Sequence, residues 1–363
     1  MPYLIGKRDL RFDTLRGLLL VTMTINHLPT PVRRFTDSPL GIFSSAEGFV
    51  FLSGFIAGLV YTRKYQECHS FFQTAVIGRF WKIYRWHLFS LVGCLGVIQI
   101  LSAIRHTSIT AAPTLFLTNP LESLGLGAVL AYQPGLLDLL PMYCIFVLLL
   151  YGVIPALDAG RRLHVLAYSG GVWLLMQFFP TYNPTPLGDI NVGSFNVFAW
   201  QFLFVLGACL GHGYKVEGRA LRRPPLVLLM GMIGVLVYGF GLRQYHWAPI
   251  WWDHTFGVFL NKPSLGLFRL LNFGCFVYLL AYPIHAFPRL FVWRPLAFLG
   301  GHSLQVVAAQ SIGVMTLLEF SSPFATQTRA VISTFAAVGF LFLVAWGDDW
   351  LKSRRSSVAP QGD

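Results

Sequence analysis

The chain has 363 residues, of which 55% are hydrophobic and only 12% are charged, and its mean hydropathy is +0.60. Soluble globular domains carry about 25% charged residues, so this composition excludes an ordinary soluble protein. The 27 Lys and Arg residues outnumber the 15 Asp and Glu residues, which gives a formal net charge of +12. Basic cytoplasmic loops of a membrane protein account for that excess without nucleic acid as a partner.

Ten apolar segments of membrane length follow one another along the chain, and each is a candidate transmembrane helix. Their approximate bounds are 11–29, 46–62, 84–105, 136–157, 163–179, 196–214, 225–243, 264–283, 295–318 and 328–350. The sequence therefore predicts an all-α polytopic membrane protein with about ten transmembrane helices. We expect a single integral-membrane domain over residues 1–351 and a polar cytoplasmic tail over residues 352–363.

The distribution of charge predicts the orientation, because Lys and Arg collect in cytoplasmic loops. When the spans are threaded in order, most basic residues fall on the side of the N-terminus, so both termini are expected in the cytoplasm. Cys68 falls in an inner loop and the other four cysteines fall inside spans, so no disulfide framework is expected. No Cys/His spacing predicts a metal site, and no glycine-rich phosphate loop predicts an ATP-driven pump.

Beyond Arg11 and Asp13 at its start, the first span carries the ionisable side chains of Arg16 and His27. They are 11 residues apart, which on a helix places them within about 20° of one face and roughly 16 Å apart along the axis. Ionisable groups are costly inside a bilayer and are functional candidates. The pair predicts one functional stripe reached from both sides, with His27 buried in protein. The alternative is a helix-end histidine at the headgroup level, just before Pro29.

Carboxylates open two further spans on the predicted outer side. Glu47 begins the second span and Asp138 begins the fourth, while Asn196 and Gln201 begin the sixth. A carboxylate beside an imidazole orients it and raises its basicity, so both acids are predicted catalytic partners of His27. The alternative for Glu47 is a helix N-terminus, where a negative charge is favoured.

A basic stripe precedes the third span in a predicted inner loop. Arg79, Lys82 and Arg85 are spaced by threes, so a helix would place them on one side. Such a stripe can bind the phosphates of a cytoplasmic nucleotide cofactor. The alternative is that these basic residues bind anionic lipid headgroups.

An aromatic outer loop is the candidate substrate site. Aromatic faces stack on the apolar faces of sugars, while Asp and His can bond to sugar hydroxyls, but Trp and Tyr also collect at membrane interfaces whatever the function. The predicted substrate-binding residues are Trp247, Trp251, Trp252, Asp253 and Gln201. The long outer stretch 107–135 also predicts an interfacial or re-entrant helix around residues 122–131, a device common beside membrane cavities.

Several of these stretches resemble motifs of the acyltransferase-3 superfamily. Arg16 with His27 resembles its first-helix motif, residues 51–55 resemble its second-helix signature, and residues 79–84 are similar to its third-helix paired-arginine motif, with Lys82 in place of the second arginine. Longer stretches resemble the OpgC branch of that superfamily, namely residues 11–17, 45–54, 136–143, 195–201 and 299–306.

The resemblance implies a ten-helix acyltransferase of the bacterial inner membrane. Such a protein takes an acyl group from cytoplasmic acyl-coenzyme A, succinyl-coenzyme A in the OpgC branch, and places it on hydroxyls of a periplasmic glucan. Carried over by residue, His27 is the catalytic histidine, and Arg16, Arg79 and Lys82 are donor-side contacts. Lysine lacks the bidentate fork of arginine, so Lys82 leaves donor binding open in detail.

The acid–base chemistry of these residue types is consistent with acyl transfer to a hydroxyl. A neutral imidazole can remove the proton of a sugar hydroxyl near pH 7, and the sugar oxygen can then attack a thioester carbonyl. Asn26, Ser53 and Gln201 are open candidates for the oxyanion donor. A covalent acyl-histidine, an acetyl group in place of succinyl, and another exported glycan or a lipid-linked sugar as acceptor also stay open.

A transporter or flippase for a sugar or organic anion is the rival from another class. Transporters often contain repeated halves and broken helices near the midplane, and the first and last five spans show no convincing repeat. A purely structural membrane subunit is a third alternative, but it gives no reason for Arg16 and His27 to share a helix face.

Overall fold

The computed structural model describes residues 4–5, 8–105, 114–133, 135–179, 193–217, 224–245, 247, 257–318 and 326–358. Apart from a hairpin of two-residue strands, Leu4–Ile5 (β1) and Arg8–Asp9 (β2), the regular structure in these ranges is helical, which confirms the all-α prediction. The helices are α1 (Leu10–Asn26), α2 (Ser45–Glu67), α3 (His69–Arg105), α4 (Thr114–Thr118), α5 (Pro120–Ala128), α6 (Leu139–Asp158), α7 (Arg162–Phe178), α8 (Val197–Glu217), α9 (Leu226–Gln244), α10 (Leu267–Ala286), α11 (Arg294–Gly301), α12 (Ser303–Leu318) and α13 (Gln327–Val358). Short 3-10 turns cover Pro31–Phe35 and Pro288–Phe291.

Seven helices within the described ranges are long and apolar enough to cross a membrane, namely α2, α3, α6, α8, α9, α10 and α13. The first and fifth predicted spans correspond to α1 and α7, which have 17 residues each. Two predicted spans differ in extent from the helices of the structure. The third helix begins at His69 rather than near residue 84, and the ninth span is broken at His302 into α11 and α12.

Two compact units make up the chain. The first unit contains residues 1–36, 86–128 and 289–363, and the second contains residues 37–85 and 129–288. Helix α3 contributes to both, because its residues up to Arg85 belong to the second unit and those from Trp86 belong to the first. The candidate functional residues are therefore divided between the two units.

A parallel crossing of α2 and α8 organises the second unit. Both helices carry a GxxxG pattern, and a Cβ atom added to any of its four glycines would lie within 2.3 Å of a backbone oxygen of the other helix. Small residues at this spacing allow the backbones of membrane helices to approach closely. The contacts pair Gly54 with Phe204, Gly58 with Ala208, Gly207 with Phe51 and Gly211 with Phe55.

The first unit has its own glycine crossing, between α1 and α11. A Cβ atom on Gly17 would lie 2.0 Å from the Leu296 oxygen, and one on Gly300 would lie 1.8 Å from the Asp13 oxygen. Thr14 also accepts a hydrogen bond from the Trp293 backbone N–H at 3.2 Å. The N-terminal half of α1, which carries Arg16, is thereby held against α11.

The outer stretch in which an interfacial or re-entrant helix is predicted contains α4 and α5, which lie along the second half of α3. Gln99 donates to the backbone oxygen of Phe116 in α4, and a ring nitrogen of His87 lies 2.9 Å from the backbone oxygen of Gly127 in α5. The later position of α3 contacts α4 and the earlier position contacts α5, so the α4–α5 pair runs antiparallel to α3.

Candidate functional site

The predicted catalytic histidine lies at the end of α1. The helix ends at Asn26, and His27 is its C-cap residue, with its backbone N–H bonded to the Thr24 oxygen at 3.2 Å. The His27 side chain is exposed, whereas Arg16 is half-buried on the same helix. The expectation that His27 is buried in protein was therefore wrong, because the helix ends one residue before it.

The chain after His27 is held in place by hydrogen bonds within the first unit. Asn26 donates to the Thr36 backbone oxygen at 3.2 Å and accepts from the Thr36 hydroxyl at 2.6 Å. Thr334 of α13 donates to the Thr30 hydroxyl at 2.9 Å. Both polar groups of the Asn26 amide are thus engaged, which favours a structural role for it over the oxyanion role considered from the sequence.

A second ionisable cluster lies at the break between α11 and α12. The Nδ1 atom of His302 is 2.6 Å from a carboxylate oxygen of Asp348, which also accepts from Lys352. Gln305 donates to the other Asp348 oxygen at 3.2 Å, and Asp349 lies 3.8 Å from the Nε2 atom of His302. Helix α13 is thereby tied to the helix break by a buried imidazole paired with a half-buried carboxylate.

The two clusters of the first unit lie at different heights along α13. Thr334 contacts Thr30, just beyond His27, while Asp348 contacts His302 about 21 Å further along the helix. Gly300, two residues before His302, packs against Asp13 in the first turn of α1. The first unit therefore has ionisable groups near both ends of α1.

In the second unit, Glu47 is fully buried in the first turn of α2. One carboxylate oxygen accepts from the Ser44 backbone N–H at 2.9 Å and from its hydroxyl at 2.6 Å. The other accepts from Arg269 of α10 at 2.6 Å. Glu47 thus stabilises the N-terminus of α2 as part of a capping box, as the alternative interpretation predicts. Its ion-pair partner, Arg269, was not predicted from the sequence.

Asp138 is the N-cap residue of α6 and is buried. Its carboxylate accepts from the Ser194 backbone N–H at 3.1 Å. Burial raises the pKa of Asp138 above its ordinary value, although the Ser194 hydrogen bonds and the charge of Lys262 oppose this. The charge of Lys262 also acts on Glu47, so the two predicted carboxylates of the second unit share a basic neighbour.

The predicted basic stripe lies on α3 rather than in a loop, because the helix begins at His69. Along this stripe Arg79 is half-buried, while Lys82 and Arg85 are exposed. The charge of Arg79 acts on the phenols of Tyr61 and Tyr143. Arg79 therefore lies inside the second unit, where α3 runs beside α2 and α6, whereas the exposed members remain open to a cofactor phosphate or a lipid headgroup.

The predicted sugar platform is only partly described. Trp251, Trp252 and Asp253 lie outside the described residues. Trp247 is 51% exposed, stacks on Tyr245 and packs against the end of α9. Gln201 exchanges two hydrogen bonds with Ser169 of α7, at 2.6 and 2.8 Å. The amide of Gln201 thus links α7 to α8, which favours a packing role.

Among the described residues, no three His, Cys, Asp or Glu side chains converge as metal ligands. No curated protein and no solved structure matches the chain. The model of a protein family, described as "OpgC protein", matches residues 8–353. The chain belongs to the OpgC family. Membership indicates a role in modifying osmoregulated periplasmic glucans and is compatible with a transferase.

Sequence reasoning missed several ionisable residues of this OpgC-family protein. No role was predicted for Lys262 and Arg269, and His302 lies in the stretch 299–306, which resembles the OpgC branch without a role for its histidine. Asp348 and Lys352 were available as a signal, because they are four residues apart and follow directly on the apolar stretch of α13. The pairing of Glu47 with Arg269 gave no local signal, since 222 positions separate them.

Proposed function

We propose that this chain is an O-acyltransferase of the bacterial inner membrane. It moves an acyl group, succinyl by resemblance, from cytoplasmic acyl-coenzyme A to hydroxyls of a periplasmic glucan. The observation that carries the proposal is the exposed His27 at one end of α1, on the same helix as the half-buried Arg16, in a member of the OpgC family.

An exposed imidazole suits the general-base role, because a base must reach the proton that it removes. Neutral His27 takes the proton of the glucan hydroxyl while the sugar oxygen attacks the thioester carbonyl. The carbon–sulfur bond then breaks, and the coenzyme A thiolate leaves and takes a proton from the imidazolium. The ester and free coenzyme A are the products, and His27 returns to its neutral form.

The donor is proposed to approach from the Arg16 end of α1. Arg16 lies roughly 16 Å from His27 along the helix, so it would contact a part of coenzyme A remote from the thioester. Arg79 of the second unit, inside its helices rather than in a loop, is a further proposed donor contact. Guanidinium groups match phosphate geometry in a bidentate manner.

The proposal is tested with purified protein, isotope-labelled succinyl-coenzyme A and an unmodified glucan. In detergent there is no compartment to transport between, so label on the glucan identifies an acyltransferase. Substrate-dependent movement across proteoliposomes without any labelled glucan would instead support the transporter or flippase alternative. Labelled acetyl-coenzyme A in a parallel reaction identifies the acyl group.

Arg16→Ala should raise the KM for the acyl donor more than the KM for the glucan. The matched control is Arg33→Ala, which removes an exposed arginine from the 3-10 turn of the same unit. An effect confined to the glucan kinetics would show that Arg16 does not contact the donor.

A further inference from the structure

Residues 261–266, directly before α10, form a turn that follows a short helical segment ending at Leu260. The backbone of residues 260–266 is held by many hydrogen bonds, and we call this segment the 260–266 loop. Five of its carbonyl oxygens accept hydrogen bonds from side chains or backbone of the second unit. The donors are Arg269 to Leu260, Trp200 to Lys262 and Pro263, Asn196 to Pro263, Gln177 to Ser264 and Trp173 to Leu265, at 2.8 to 3.2 Å.

This loop also carries backbone strain. Leu265 has a φ of +54°, a left-handed conformation that costs a non-glycine residue about 1–3 kcal/mol and persists only where the surroundings enforce it. Trp173 binds the Leu265 oxygen at 2.9 Å and Trp200, with no exposed surface, binds the preceding residues. The second unit therefore holds the loop in one geometry, as a binding site requires.

Two buried donors beside the loop have no hydrogen-bond partner. They are the hydroxyl of Ser264, a residue with no exposed surface, and the Nδ2 atom of Asn196. The Asn196 backbone N–H binds the Pro263 oxygen at 2.9 Å, so Asn196 lies against the residue that precedes Ser264. An unpaired buried polar group costs about 1–3 kcal/mol, which a ligand that supplies acceptor oxygens would recover.

The charges around the loop balance. Lys262 and Arg269 are basic, Glu47 and Asp138 are acidic, and the Lys262 charge acts on both carboxylates. Arg269 is already paired with Glu47 at 2.6 Å. An anionic ligand would meet two carboxylates as well as two cations, whereas hydroxyl groups can both donate to a carboxylate and accept from an ammonium or an amide.

An aromatic face lies at the same place. The ring of Phe195 is half-buried, its centroid is 4.4 Å from that of Trp200, and the Lys262 ammonium lies 5.6 Å from it. Aromatic rings beside mixed donors and acceptors match a sugar, which has apolar C–H faces and hydroxyl edges. Neighbouring Ser194 and Pro263 are exposed, so the loop reaches the surface of the second unit.

We infer that the 260–266 loop, together with Asn196, Phe195 and Asp138, forms a binding subsite for a neutral, hydroxyl-rich glycan chain. The inference rests on the proposed function, because it assigns the acceptor of that reaction to this place. It assigns the acceptor to residues other than the aromatic stretch 247–253 that the sequence predicts.

The test is direct binding of an unmodified glucan oligosaccharide to purified full-length protein, measured by calorimetry without any acyl donor. Ser264→Ala removes the unpaired hydroxyl. Asn196→Asp removes the Nδ2 donor but keeps the carboxylate oxygen that caps α8 through the Ala199 N–H. Each variant should weaken glucan binding by about fivefold to tenfold while its melting temperature stays within a few degrees of wild type.

Asp37→Asn is the matched control, because it alters a polar group of the same unit that pairs with Arg243 and should leave glucan binding unchanged. Wild-type protein that binds no glucan, or variants that bind it as wild type does, would overturn the inference. Binding of succinate or inorganic phosphate at the loop in place of glucan would overturn it as well.

The outcomes also separate this inference from the proposed function. If labelled succinyl is transferred but the variants leave the KM for glucan unchanged, the subsite is wrong and the acyltransferase stands. If no acyl transfer occurs but glucan binding is present and lost in both variants, the subsite stands and the acyltransferase fails.

Discussion

In the second unit Glu47 is fully buried and bound by Arg269 and Ser44, whereas in the first unit His27 is exposed at the end of α1 and Asp349 is exposed on α13. A buried charge that loses its partner is costly, while an exposed charge is solvated with or without one. The contrast indicates that Glu47 supports the fold of the second unit, whereas the exposed imidazole of His27 is accessible for the role proposed for it.

The crossing of α2 and α8 is where a substitution should have the largest effect. In Gly207→Leu the new Cβ atom would lie 2.3 Å from the Phe51 backbone oxygen, so the two helices must separate. We expect almost no monodisperse protein after detergent extraction. Gly231→Leu on α9 is the control, because a Cβ atom there meets nothing within 4 Å. Equal yields of both variants would show that the second unit does not depend on this crossing.

The buried ion pair should give the next largest effect. Arg269→Ala leaves the Glu47 carboxylate buried without its cation and should lower the free energy of unfolding by about 3–5 kcal/mol. Arg243→Ala breaks the exposed pair with Asp37, whose distance is 2.8 Å, and should cost at most about 1 kcal/mol.

Chemical denaturation of the purified variants in detergent compares the two pairs. Glu47→Gln added to Arg269→Ala removes the stranded charge and should restore part of the lost stability. A similar loss at both arginines would mean that burial does not distinguish the two pairs.

A smaller change in stability is expected when the pH changes, because Asp138 titrates. Because burial raises its pKa in the folded state, the folded protein holds this proton more tightly than the unfolded chain does. The contribution of Asp138 to stability is therefore greatest at low pH and declines as the pH rises from about 4, the ordinary aspartate value, toward the raised pKa.

Asp138→Asn removes this titration and can still accept from the Ser194 N–H. The melting temperature of the variant, relative to wild type, should therefore increase between pH 4 and pH 7. A relative decrease over the same interval would show that the hydrogen bond and the Lys262 charge outweigh burial.

The mildest test labels a cysteine to determine the orientation in the membrane and does not alter the fold. Cys68, between α2 and α3, is the one exposed cysteine, and hydrogen bonding with Ser70 holds the pKa of its thiol below the ordinary value. More thiolate is then present at neutral pH, so a membrane-impermeant maleimide should label Cys68 readily. Inside-out vesicles should label and right-side-out vesicles should not. The reverse pattern would invert the orientation predicted from charge.

Local sequence signals account for most of what could be predicted. Each of the ten segments predicted from length and hydropathy falls on a helix of the structure, the ninth on two, and the acidic residue three positions after Ser44 favours a capping box. The GxxxG patterns that begin at Gly54 and Gly207 were present as well, and they indicate that α2 and α8 each have a face suited to close packing, but not that the two helices are partners.

Contacts between distant segments could not be predicted in the same way. Nothing local connects Glu47 with Arg269 or His302 with Asp348, because hydropathy does not encode which helices are neighbours. Residues 295–318 contain only a few polar side chains, so hydropathy gave no sign of the helix break at His302. The exposure of His27 was missed because helix ends are located from sequence only to within a few residues.

The most direct test of the proposed mechanism is the rate of labelled succinyl transfer to glucan by purified His27→Ala protein. His285→Ala is the control, because it removes another exposed histidine at the end of an apolar helix. Loss of a general base typically costs about 10²–10⁴-fold in rate, so His27→Ala should fall by at least that factor while His285→Ala stays near wild type. A His27→Ala enzyme that transfers succinyl at a near-normal rate would contradict the account.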